Sequence, residues 1–203
     1  MGAALTHLIP VSELAPGAIS FIRNEVLKDL LARASKQLSL PEDKLVVRDL
    51  RWVEDLQAYS SGTTASTIND WLFTTAATTV TGFITVTGDK TMGDERFVAL
   101  YGVKDLRRVY DVKQAAATTG AVLSQVVSLI KIAVGGGDKV IWDLSKLQVY
   151  PESLAGFTPS AVIIPQNSAF NISIYKANGV ASVIANIVLE GLVVEPRGKV
   201  ISP

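Results

Sequence analysis

The carboxy-terminal part of the chain alternates, and alternation with a period of two commits it to β structure. In Phe170-Asn-Ile-Ser-Ile174, Phe170, Ile172 and Ile174 point one way while Asn171 and Ser173 point the other. Lys176-Ala-Asn-Gly179 then reads as a turn centred on Asn178-Gly179. Val183–Glu195 reads as a long final strand. Its Val183, Ala185, Ile187 and Leu189 share a face opposite Asn186 and Glu190, and Pro196 ends it.

Only one segment carries a strong helical pattern. Over residues 17–38, Ile19, Ile22, Val26, Leu27, Leu30, Leu31, Ala34 and Leu38 recur at helical spacing, with Arg23, Glu25, Lys28, Asp29, Arg33 and Lys36 on the other face. Charges of both signs argue against binding to anionic lipid, so the helix is expected to pack on its own domain or on a neighbouring subunit. Pro41 stops it. Pro10 and Pro16 break any helix before it, which makes residues 1–16 an extended arm. The start of the chain lacks a basic n-region and does not read as a secretory signal. Gly2 and Thr6 meet a loose myristoylation pattern that is short enough to arise by chance.

Between helix and closing strands, extended runs alternate with turn signals. Leu45–Trp52, Val80–Thr87, Arg96–Val103, the second half of Ala121–Val134, Val140–Val149 and Ala161–Ile164 read as strands. Residues 60–68 and 151–159 read as loops, Gly88-Asp89-Lys90 and Gly135–Lys139 as turns, and 114–121 as loop or short helix. The expected architecture is mainly β: an antiparallel β-sandwich or jelly roll of about eight strands behind an N-terminal amphipathic helix. Its divisions are arm 1–16, helix 17–40 and sandwich 41–203.

Composition excludes several chemistries. The 203 residues contain no cysteine, which removes thiolate catalysis, disulfides and cysteine-ligated metals. Charges balance at 19 against 19 and make up only 19% of residues, while 48% are hydrophobic. Mean hydropathy is +0.33, yet no run of eighteen apolar residues exists, so no integral membrane segment is expected. A chain this apolar and weakly charged reads as hiding surface between subunits.

The candidate chemical groups are few. His7 is the only histidine and lies in the arm, where it cannot build a triad or a multi-histidine metal site. Asp89, Asp94 and Glu95 cluster between two strands, but Lys90 and Arg96 interleave and the spacing fits no calcium loop; a solvated turn is the simpler reading. Gly135-Gly136-Gly137-Asp138-Lys139 lacks the phosphate-loop spacing and is followed by strand-like Val140-Ile-Trp142, so it reads as a hairpin turn. Lys104, Arg107, Arg108 and Lys113 are diluted by Asp105 and Asp111, so no specific nucleic-acid binding is expected. Trp52, Trp71 and Trp142 read as core or interface anchors. No catalytic, cofactor-binding or metal residues are assigned, no cofactor or small-molecule substrate is expected, and the chain is not expected to be an enzyme.

Ile164-Pro-Gln-Asn-Ser-Ala-Phe-Asn-Ile-Ser-Ile174, followed by the Asn-Gly turn and Ile184–Pro196 with Leu189-Glu-Gly191, resembles the closing strands of virion proteins of tailed and tailless bacteriophages. Arg96-Phe-Val-Ala-Leu-Tyr-Gly102 is similar to a central strand in such proteins. The resemblance implies a single jelly-roll capsid or other structural subunit located in the virion. Such a subunit would assemble with copies of itself and with other virion proteins through sheet edges, loops and the N-terminal arm. Two further readings stay open: a lectin-like or adhesin-like binding sandwich, with a site on loops 60–68 and 88–95, and a filament or tail-tube subunit.

Overall fold

The structure, a computed structural model, describes residues 4–56, 72–74, 83–85, 90–105, 127–149, 155–176 and 184–199. The expected loop at 60–68, the segment 114–121, the Asn178-Gly179 turn, Trp71, Asp89, Arg107, Arg108, Asp111 and Lys113 lie outside the described residues.

Ala18–Leu38 forms helix α1, within one residue of the expected span. Ile22, Val26, Leu30 and Ala34, spaced at i,i+4, are its buried stripe. Burying Ile22, Val26 and Leu30 stabilises the fold by about 1.5–3 kcal/mol each. The helix ends without glycine. Ser39 takes a left-handed conformation at φ 54° and donates its N–H to the Ser35 carbonyl, while Ser35 Oγ donates to the Leu40 carbonyl at 2.6 Å. The first satisfies a carbonyl of the last turn, and the second ties the chain just beyond the helix back onto it.

Twelve strand segments form two sheets among the described residues. They are β1 (Ala4–His7), β2 (Ile9–Pro10), β3 (Leu45–Asp49), β4 (Leu72–Thr74), β5 (Phe83–Thr85), β6 (Lys90–Thr91), β7 (Phe97–Asp105), β8 (Val127–Val134), β9 (Gly137–Asp143), β10 (Ala155–Ile164), β11 (Ala169–Lys176) and β12 (Ile184–Pro196). Two short helices accompany them, α2 (Trp52–Asp55) and α3 (Ser145–Val149). The front sheet runs β1-β9-β8-β11-β5, with β6 also on β11. The helix-backed sheet runs β2-β10-β7-β12-β3, with β4 also on β12. Eight strands make the frame: β3, β5 and β7 to β12. In chain order they visit the backed sheet, front, backed, front, front, backed, front and backed. That winding is the jelly-roll order of a β-sandwich, and the expected eight strands are these. The other four segments are two N-terminal edge strands and two short strands.

Two cores follow from the alternation of the backed sheet. On β7, Val98, Leu100 and Val103 face the front sheet and join Ile130, Ile132, Trp142, Phe170, Ile172 and Ile174. Phe97, Ala99 and Tyr101 face outward and pack with the α1 stripe, Phe157, Leu192 and Val194. The backed sheet is therefore buried on both faces, and its strands read as continuous apolar runs rather than clean alternation.

The strand ladder of β7 is broken on both sides at Tyr101. The pairing shifts between Glu190 and Gly191 on β12, and between Phe157 and Val162 on β10. The chain crosses closely here: a Cβ on Gly191 would sit 2.5 Å from the Ala99 carbonyl oxygen, and one on Gly102 would sit 2.6 Å from the Phe157 ring. The clash at Gly191 is with backbone, which cannot swing away. Gly191→Ala is expected to cost about 3 kcal/mol, read as a lower urea midpoint at unchanged m-value; a loss under about 0.5 kcal/mol would show that β7 and β12 separate freely at this point.

Three readings need correction in detail. The loop expected at 151–159 holds, among its described residues, the first half of β10, and Pro159 is accommodated where the register slips between Phe157 and Val162. The strand expected at 140–149 ends at Asp143, and Ser145–Val149 is helix. The extended run expected at 45–52 ends at Asp49, and Trp52 opens helix α2. Residues 4–10 of the expected arm are extended and seated on the protein's own sheet edges.

Candidate functional site

One segment seals the open side of the sandwich. β1 pairs in parallel with β9 of the front sheet, from Ala4 opposite Val140 to His7 opposite Asp143. Two residues later, β2 pairs antiparallel with β10 of the backed sheet. Residues 4–10 thus form a strap that supplies an edge strand to both sheets. At its bend Leu8 is fully buried, and its N–H donates to the Asp143 carbonyl at 3.1 Å. Leu8 lies over Gly156: a Cβ there would sit 3.1 Å from Leu8 Cβ and 3.2 Å from Leu147 Cδ2. The missing side chain of Gly156 is the notch that admits the leucine. Beside it, His7 Nδ1 lies 2.9 Å from Asp143 Oδ2, and Asp143 Oδ1 accepts the Ser145 N–H at 2.8 Å at the start of α3.

The strap and the first turn of α1 also carry the exposed apolar surface. Among the described residues, the large hydrophobic side chains that stand exposed are Leu5 at 58%, Val11 at 37% and Phe21 at 66%. All three fall within residues 4–21. Scattered exposed leucines are ordinary, but three confined to one short stretch mark a surface that gains by being covered.

A second cluster of chemically active groups closes one end of the sandwich. Arg48 on β3 grips Asp55 of α2 with two bonds, Nη1 to Oδ2 and Nη2 to Oδ1, each 2.6 Å. Its Nη2 also reaches Glu195 of β12 at 3.3 Å. Arg96, just before β7, pairs with Glu195 through Nε and lies 3.6 Å from Asp55. The Arg51 N–H donates to Asp55 Oδ2 at 2.8 Å. Both carboxylates are buried, Asp55 with 1% of its side chain exposed and Glu195 with 7%. The hydrogen bonds that Arg48 donates to Asp55, assisted by the charges of Asp55 and Glu195, raise the Arg48 pKa above the ordinary arginine value against the opposite pull of burial. Two cations facing two carboxylates, each already bonded, make a scaffold rather than a proton-transfer site.

The other residues singled out by sequence fall into structural places. Asp94 and Glu95 lie in the turn before β7. Asn167 Nδ2 donates to Asp94 Oδ1 at 3.1 Å, the Glu95 N–H donates to Gln166 Oε1 at 2.9 Å, and Lys199 pairs with Glu95 at 2.8 Å. They tie three turns together. Gly135 and Gly136, at φ 68° and 78°, form the two-residue connection of the β8–β9 hairpin, where both positions need left-handed backbone. Lys104 pairs with Glu190 across β7 and β12 at 2.6 Å. Trp142 is fully buried in the inter-sheet core. No group of three or more histidine, aspartate or glutamate side chains is placed to hold a metal ion among the described residues. No described helix is long and apolar enough to cross a membrane.

Tyr101 carries a measurable electrostatic signature. Burial, reinforced by the Glu190 and Asp49 carboxylates and opposed by Arg23, raises its phenol above the ordinary value of 10.0. The unfolded phenol loses its proton near pH 10 while the folded one keeps it. The folded state then binds more protons, so stability falls as pH rises from about 10 through the folded value. Tyr101→Phe, which retains the ring that stacks on Phe157 at 6.2 Å, is expected to lack this decline. Thermal midpoints of both proteins at pH 8 and near pH 11 check it: the variant should gain on the native protein at the higher pH, and a constant gap would reject the shift.

Sequence reading passed over Arg48, Asp55 and Glu195, although a signal was present. Val193 faces the inter-sheet core and Val194 the helix, so Glu195 falls at a core parity, and Arg48 pairs opposite inward-facing Val193. A carboxylate at a core position requires a buried cation. The strap had no comparable signal, because seven residues split between two sheet edges are too few to establish a period. Comparison with models of known protein families finds no match, and comparison with curated proteins finds no matching sequence.

Proposed function

We propose that the chain is a structural subunit of a virion, a capsid protein that builds its shell from copies of itself. One observation carries the reading: a jelly-roll sandwich whose exposed large apolar side chains among the described residues, Leu5, Val11 and Phe21, are gathered on its N-terminal stretch. The fold alone does not choose, since jelly rolls serve shells and lectins alike. A loop-borne binding site would place its specific groups on loops, whereas here the apolar surface sits on an edge strap and the adjoining helix. Covering such a stretch releases water from apolar surface and needs only a second copy of the same molecule. The sparse charge of the whole chain, 19% of residues, suits a protein that buries much of its outside.

The test is the particle mass of the purified protein by light scattering, with negative-stain images of the same sample. A closed ring or shell of defined symmetry is the expected result. An open tube would move the assignment to a filament subunit, because heterologous contacts that do not close make fibres. A species of 21.6 kDa at every concentration and salt would overturn the proposal.

A further inference from the structure

We infer that the outer face of helix α1 is a contact between two copies of the chain, in which the two helices lie antiparallel across a two-fold axis and each Phe21 packs over Ala32 of the second copy. The inference deepens the structural-subunit reading by naming a contact between copies, and it rests on that reading only for the consequence that the pair is a building unit of the particle.

The two faces of α1 meet different surroundings. Ile22, Val26, Leu30 and Ala34 are buried against the domain's own sheet. On the opposite side runs a second stripe, Phe21, Glu25, Lys28 and Ala32, and every member of it is exposed. Successive members are separated by four, three and four positions, the spacing that keeps side chains on one helix face. That spacing reads the same from either end, while the chemistry does not. The stripe begins with a large ring and ends with a methyl group. Between them an anion precedes a cation.

A two-fold contact requires a patch that is complementary to itself. The stripe meets this condition when two helices run antiparallel about an axis level with the midpoint between Val26 and Leu27. Phe21 then falls level with Ala32 of the second copy, and Glu25 level with Lys28 of the second copy. Each match occurs twice. The ring meets the one stripe position that carries only a methyl group, which gives it a groove to fill as the helices approach. Glu25 and Lys28 already bond within one helix, Nζ to Oε1 at 2.7 Å. In the pair each carboxylate has a lysine in its own helix and another in the facing one. A parallel pair would instead set Phe21 on Phe21 and like charge level with like charge. The carboxylate in the stripe, with Asp29 beside it, opposes an anionic lipid surface as the occupant.

Charge exchange on the full-length protein tests this directly. Glu25→Lys leaves two cations in the stripe, and Lys28→Glu leaves two anions. Either variant alone faces its own kind, but in a mixture every cation faces an anion. Both positions are exposed, so both variants keep the fold. Isotopically heavy Glu25→Lys protein and light Lys28→Glu protein are examined separately and mixed, by native mass spectrometry at low ionic strength. The native protein is expected to pair at twice the chain mass of 21.6 kDa. Each variant alone should pair about tenfold more weakly, because two exposed charge contacts turn from attraction to repulsion. The mixture should restore pairing, with the recovered pairs heavy–light. Phe21→Ser added to both chains should remove them again. Either variant pairing alone as tightly as the native protein, or a mixture with no excess of heavy–light pairs, would overturn the contact. Survival of the mixed pair without Phe21 would overturn the packing of the ring. Particles built equally well by either variant alone would leave the subunit reading standing and remove this contact from it. Heavy–light pairs with no particle at any concentration of the native protein would do the reverse.

Discussion

Asp55→Ala is expected to lower the unfolding free energy by about 3–5 kcal/mol, the usual loss when one partner of a buried ion pair is removed. That is a large part of the roughly 5–15 kcal/mol that holds a domain folded. Asp55 receives both arms of the Arg48 fork and the Arg51 N–H. Without it, Arg48 and Arg96 converge on Glu195 alone, two cations on one carboxylate in a site largely shut off from water. The Arg48 side chain is only 21% exposed and that of Arg96 31%, so water replaces little of what is lost. Asp55→Asn should fall between, since the amide oxygen still accepts a hydrogen bond but the charge is gone. The paired change Arg48→Met with Asp55→Leu should recover much of the loss, because it removes one charge of each sign and leaves Arg96 matched to Glu195. Urea unfolding of the four proteins decides it. An Asp55→Ala protein within about 1 kcal/mol of the native one would mean that the cluster is solvated and does not close the sandwich end.

The elements that sequence revealed are those whose environment repeats along the chain. Helix α1 buries one stripe at i,i+4 spacing, so its period was visible and its ends lie where the proline and the polar residues place them. Strand β11 has one face in the core, and the alternation of Phe170, Ile172 and Ile174 marked it. The Gly135-Gly136 turn was legible because left-handed backbone at two successive positions asks for glycine. Strand β10 was cut short because Pro159 sits within it; a proline is a stop signal unless a slipped register frees it from the ladder, and that slip depends on the neighbouring strand β7. The charged cluster joins residues 48, 55, 96 and 195, and only the jelly-roll winding brings them together. The seating of the strap was equally hidden, since Leu8 differs from any arm leucine only in having Gly156 beneath it.

Leu8→Asp and a triple change of Leu5, Val11 and Phe21 to serine should separate two roles that the proposed capsid reading gives the N-terminal stretch. Leu8 is fully buried between the sheet edges, against Gly156 and Leu147. Truncating such a leucine to alanine costs about 2–5 kcal/mol, and a carboxylate there adds the penalty of an unpaired buried charge. Leu8→Asp is therefore expected to unseat the strap: its unfolding midpoint falls sharply and the Leu8 amide, now bonded to the Asp143 carbonyl, loses protection from hydrogen exchange. Leu5, Val11 and Phe21 are exposed, so their serine substitutions should each change the stability of the dilute subunit by no more than about 0.5 kcal/mol. Their effect should appear only at high concentration, as a loss of particles in light scattering. Were the triple variant to assemble as well as the native protein, the exposed apolar stretch would not be the contact between subunits. Were Leu8→Asp as stable as the native protein, the strap would not hold the edges of the sandwich. The pattern expected is a stable protein that cannot assemble from the triple serine change and a weakened one from Leu8→Asp, because a side chain already buried in its own domain has little further to gain from a neighbour, whereas one left in water has most of its burial free energy still to gain.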